Sequence, residues 1–117
     1  MTYVWIALGS AIGGCARYAM GSAVSQWLGV GFPYGTLSVN ILGCFLIGVL
    51  ASMLDQTPWR QFLIIGFCGG FTTFSSFGLE TLSLLRDGQP LRAGVYIAAS
   101  IIVCLVAVWA GSLIRPS

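Results

Sequence analysis

The sequence contains no histidine, and only 7% of its 117 residues are charged. Soluble domains carry roughly 25% charged residues, so a water-exposed globular domain is excluded. The missing histidine removes the commonest general base and a common metal ligand, and no nucleophile and base stand paired along the chain. An enzyme is therefore not expected, and neither is a nucleic-acid partner. The N-terminus, Met1 to Trp5, lacks both a positive leader and a small-residue cleavage site, so the first apolar segment is expected to stay in the protein. The four cysteines, Cys15, Cys44, Cys68 and Cys104, fall in four different apolar segments without the close spacing of a metal site. Each is expected to serve as a small buried apolar residue.

In place of charge the chain has 57% hydrophobic residues and a mean hydropathy of +0.94. Crossing the hydrocarbon core takes about 20 residues per helix, and four apolar segments use nearly the whole length. The sequence predicts an all-α membrane protein with one four-helix transmembrane domain. The spans run from about Tyr3 to Gln26, Tyr34 to Leu54, Gln61 to Leu85 and Ala93 to Leu113. The loop from Asp55 to Arg60 has charge, proline and an interfacial Trp59, all marks of a membrane boundary.

The third span holds the stretch Gly66 to Gly78, with four glycines, four hydroxyl residues, four phenylalanines and one cysteine. Glycine costs about 1 kcal/mol against alanine inside a helix, so this composition serves something other than filling lipid. Glycines beside hydroxyls at membrane depth predict a broken helix, whose freed backbone groups are buried in protein or line a cavity. Such a cavity suits something small and polar.

The other spans place small and polar residues at four-residue steps, which share a helix face. In the first these are Gly9, Gly13, Arg17 and Gly21. Arg17 either reaches an interface or a helix end, or lines an aqueous vestibule attractive to anions. In the second the stripe is Thr36, Asn40, Cys44 and Gly48; Asn40 is either interhelical glue or a donor lining a path. Glu80 is the one acid well inside a span, and a structural hydrogen bond or an arginine partner is favoured over proton coupling, because one acid makes no relay. In the fourth span Tyr96, Ser100 and Cys104 share a face, open to facing the third-span hydroxyls or to satisfying local backbone. With four spans, Arg60 and Arg115 lie on one side and Arg86 and Arg92 on the other. Two against two gives almost no orientation preference, which favours an antiparallel pair of identical chains about a two-fold axis.

These residues resemble the small dual-topology fluoride channels of the Fluc, or CrcB-type, family, over the whole chain. The likeness rests on Gly14 to Tyr18, Gly35 to Asn40, Gly66 to Phe77 and the Tyr96, Ser100 step; Ser76 and Cys104 depart from a pattern that often has Thr and a Ser-like residue there. The resemblance implies an antiparallel homodimer in a bacterial inner membrane, with two pores giving passive fluoride export. It implies that Phe74 and Phe77 are paired pore rings, with Asn40 a donor beside them and Ser75, Ser76, Tyr96 and Ser100 a polar track. Arg17 would sit near a vestibule. A break at Gly69 to Thr72 would set the backbone carbonyls of Gly69 and Thr72 around a central structural sodium ion, with Thr73 nearby. The alternative is a small dual-topology, proton-coupled multidrug exporter, which needs an acid in the first span, where this chain has Arg17.

Overall fold

The computed structural model describes residues 1–29, 31–54 and 58–114. Asp55, Gln56 and Thr57 of the expected boundary loop, and Arg115 of the charge count, lie outside them. Among the described residues the secondary structure is helical throughout. Helix α1 spans Thr2–Leu28, α2 Tyr34–Met53 and α3 Pro58–Arg60. A π-helical run, Gln61–Cys68, follows and leads into α4, Gly69–Phe71; α5 is Ser75–Arg86 and α6 Pro90–Ser112. Thr72 to Phe74 is not helical, so the third apolar segment is interrupted.

Among the described residues three segments are long and apolar enough to cross a membrane: Tyr34–Met53, Pro58–Arg86 and Pro90–Ser112, with mean hydropathies of 1.9, 1.6 and 2.3. This is a multi-pass membrane protein. Helix α1 has 27 residues, ample length for a span, but glycine, serine and Arg17 dilute its hydropathy. The longest dimension of the molecule is 47 Å, close to the ~40–45 Å of a bilayer with its headgroup layers. Large apolar side chains such as Leu105, Ile102 and Leu79 point outward, as expected where the surrounding solvent is lipid.

At several glycines the helices approach one another backbone to backbone. A Cβ on Gly13 would strike the Phe67 carbonyl oxygen, so α1 and the π-helical run touch main chain to main chain, the small-residue mode of membrane helices. Helices α2 and α6 share the most extensive contact, with Gly48 against the Val108 backbone and Gly111 against that of Phe45.

The turn between α5 and α6 follows from local chemistry. Gly88 takes φ 72°, its N–H donates to the Leu85 carbonyl at 3.2 Å, and the Gln89 N–H donates to that of Leu84 at 2.9 Å. This is a Schellman cap. Pro90 then opens α6 at the position where a missing N–H costs nothing, so α6 starts at Pro90 rather than near Ala93 as the sequence suggests.

Candidate functional site

The break lies at Thr72 to Phe74, not at Gly69 to Thr72; Gly69–Phe71 remains helical. Thr72 ends α4 with φ −84° and ψ 155°. Its N–H and its Oγ1 both donate to the Cys68 carbonyl, at 3.0 Å and 2.9 Å. Glycine's weak helix propensity is overridden at Gly70 because a small residue there lets the chain lie against α1: a Cβ on Gly70 would come within 2.7 Å of the Ser10 carbonyl oxygen.

The break is held by side chains from other helices. Asn40 on α2 donates from Nδ2 to the Thr73 carbonyl at 3.0 Å, and its Oδ1 accepts the Thr73 N–H at 2.8 Å. Arg17 on α1 donates from Nε to the Gly70 carbonyl at 3.3 Å. Thr73 Oγ1 accepts the Ser76 N–H at 3.2 Å, starting α5 much as an N-cap does. In a continuous helix the N–H of Thr73 would serve the Gly69 carbonyl and that of Ser76 the Thr72 carbonyl. Both donors are diverted, so those two carbonyls leave the helical ladder.

Two cavities meet at Thr73. The larger, about 500 Å³, lies among α1, α2 and α5, with Arg17, Thr36, Ser76 and Glu80 in its wall. The smaller, about 280 Å³, lies between α2, the break and α6, and is lined by Asn40, Phe74, Phe77, Ser100 and the thiols of Cys44 and Cys104. Phe74 and Phe77 have ring centroids 5.4 Å apart with planes at 36°, and Phe74 is 81% exposed on the single chain. Ser100 is 8% exposed, and its hydroxyl has no hydrogen-bond partner. A buried donor without a partner carries a desolvation cost of ~1–3 kcal/mol; in the wall of a cavity it is a donor available to a guest.

The single chain therefore brings Phe74, Phe77, Asn40 and Ser100 together, and sets Arg17 and Ser76 around the other cavity. Ser75 is exposed and pairs with Thr73 Oγ1 at 3.3 Å. Tyr96 is fully buried and lines neither cavity; its ring packs on Phe77 at 5.1 Å and on Phe32 at 5.6 Å. Its hydroxyl donates to Glu80 Oε2 at 3.5 Å, and Thr36 Oγ1 donates to Glu80 Oε1 at 2.5 Å. Glu80 thus ties α5 to α2 and α6 by hydrogen bonds. The Thr36 stripe of the sequence held a signal for this contact, but nothing local pointed from it to Glu80. The proximity of Cys44 and Cys104 carried no sequence signal at all.

A family model described as CrcB-like protein, Camphor Resistance (CrcB), matches residues 4–112. The chain belongs to the CrcB-like family. A relative from Methylocella silvestris is 46% identical over 121 residues, covering 97% of this chain and 92% of its own. One from Opitutus terrae is 48% identical, covering 95% and 89%, and one from Rhodospirillum rubrum 42%, covering 95% and 92%. All three bear the name fluoride-specific ion channel FluC. The CrcB-like match spans every helix from α1 to α6, so both cavities and the break fall within it. Membership is of a channel family, and no enzymatic step is called for.

Proposed function

We propose that this chain is a fluoride-selective channel. In this reading four-span chains, α1 included, pair as an antiparallel, dual-topology homodimer in a bacterial inner membrane. Two pores, each drawing on both copies, give passive fluoride export. The observation that carries the reading is the smaller cavity, where two adjacent phenyl rings stand beside an unpartnered, buried serine hydroxyl. The near-full-length likeness to proteins named fluoride-specific channels supports the choice of ion.

The physical argument concerns dehydration. Fluoride is small and holds its water tightly, so a narrow path must replace that shell with donors while keeping each site weak enough to leave. A phenyl ring has a positive edge, which attracts an anion without binding it as firmly as an arginine would. Phe74 and Phe77 supply edges, Ser100 a free hydroxyl, and Asn40 has one amide hydrogen beyond the one given to Thr73. Arg17 and Ser76 in the larger cavity serve as an approach attractive to anions, and Thr73 stands between the two. Ser75 and Tyr96 complete the polar track in this proposal, Ser75 from the exposed face that a second copy would cover and Tyr96 through its hydroxyl at Glu80.

A structural sodium ion belongs to the same proposal. Hard cations take neutral oxygen ligands such as backbone carbonyls, and the Gly69 and Thr72 carbonyls, released from the helical ladder, are of that kind. Two copies about a two-fold axis would offer four, with Thr73 close by. The ion would supply positive potential and cross-link the two breaks. The exporter alternative gains nothing: α1 carries Arg17, hydrogen bonded to the Gly70 carbonyl, where that class needs an acid.

Phe74→Ile and Phe77→Ile keep apolar volume and remove ring edges. Fluoride release from vesicles is expected to fall roughly tenfold or more, the equivalent of ~1.4 kcal/mol, with the oligomer unchanged by size-exclusion chromatography. Wild-type release in both variants would remove the rings from the path and, with them, this account of the cavity.

A further inference from the structure

Residues 44 and 104 lie on α2 and α6, far apart in sequence. The fold brings Cys44 and Cys104 into the wall of one cavity of about 280 Å³. Both are half-buried free cysteines, and both line the smaller cavity beside the unpartnered Ser100 hydroxyl. A thiol pair in a mostly apolar wall presents two soft ligands from two rigid helices. Among the described residues no group of three or more histidine, cysteine or acidic side chains could hold a metal.

We propose that Cys44 and Cys104 form a two-coordinate site for a divalent thiophilic cation of the mercury(II) type, seated in the wall of the smaller cavity. Ligand number and charge select this class. Zinc asks for four ligands in a structural site and three in a catalytic one, and only two thiols are on offer. Soft metals take thiolates in preference to oxygen donors, and mercury(II) is satisfied by two sulfurs in line. Two S–H bonds break, both protons pass to water, and two S–Hg bonds form without any change of oxidation state. The product carries no net charge: a dication and two thiolates cancel, whereas a monovalent cation would leave an uncompensated negative charge in an apolar wall, which is costly. Because the cavity is the one assigned above to fluoride, occupancy would also obstruct passage; that consequence rests on the channel reading, whereas the binding does not.

The test uses the full-length chain with Cys15→Ser as background, so that the exposed Cys15 does not compete. One equivalent of mercuric ion is added in excess cysteine, and intact mass and the thiols left after denaturation are measured. The expected result is one bound metal with two thiols consumed, leaving Cys68 titratable. Cys44→Ser and Cys104→Ser should each hold the metal ~100-fold more weakly or worse, because a second tethered ligand multiplies affinity by that order. Unchanged retention in either serine variant, or one thiol consumed per metal in the parent, would overturn the site. Fluoride release measured on the same samples is expected to stop with mercuric ion and return with a dithiol chelator. A parent protein that binds the metal through both thiols yet never releases fluoride would overturn the channel reading and leave the metal site standing.

Discussion

The Asn40 carboxamide donates to and accepts from the Thr73 backbone, at 3.0 and 2.8 Å, a pairing that replaces what the interrupted helix loses at that residue. Asn40→Asp tests how much depends on it. A carboxylate could still accept the Thr73 N–H, but it would face the Thr73 carbonyl with a second acceptor where a donor stood. Leaving that carbonyl unpaired costs ~1–3 kcal/mol, and the added charge opposes an anion in the adjoining cavity. A lower thermal midpoint in detergent and suppressed fluoride release are expected together. An Asp variant as stable and as conductive as the parent would make the pairing incidental. The sequence left Asn40 open between glue and pore donor, because its partner lies 33 residues away and no local pattern encodes that contact. In the structure one of its amide hydrogens is committed to the break.

At the scale of elements, the break and the glycine seams determine where the cavities lie. Three spans were legible from hydropathy: α2 ends at Met53 against an expected Leu54, and α6 ends at Ser112 against Leu113 and starts at Pro90, where Gly88 and Pro90 set it, against Ala93. A break in the third segment was legible from composition, but its place was not. Gly69 and Gly70 look like the weak point by propensity, yet both stay helical, Gly70 in close approach to α1, and the chain opens at the two threonines whose hydrogen bonds to Cys68 and Ser76 replace the ladder. A π-helical run one short turn before it, Gln61–Cys68, widens the helix, as such runs do near functional sites. The seam yields a paired prediction. Gly13→Ala places a methyl into the Phe67 carbonyl, whereas a Cβ on neighbouring Gly14 meets nothing within 4 Å. Thermal unfolding in detergent should show Gly13→Ala destabilised by ~1–3 kcal/mol, as overpacked sites are, and Gly14→Ala neutral or slightly stabilised, since alanine is the better helix former. Equal midpoints for the two variants would refute the main-chain contact.

At the scale of the whole molecule, one chain gathers only part of the expected polar track: Phe74, Phe77, Asn40 and Ser100 at one cavity, Arg17 and Ser76 at the other, Ser75 outside and Tyr96 sealed. The strong exposure of Phe74 fits a site completed by a second copy, which the sequence anticipated only through its balanced arginines. Chains tagged at the C-terminus and probed from one side of intact cells should show both orientations in a single membrane. A uniform orientation would remove the antiparallel pair and require each pore to be built from one chain. The central claim is tested most directly in vesicles loaded with potassium fluoride or potassium chloride, with valinomycin added and the external anion followed by a selective electrode. The account predicts rapid fluoride release with negligible chloride release and no need of a proton gradient. Release of neither anion, or of both at similar rates, would contradict it.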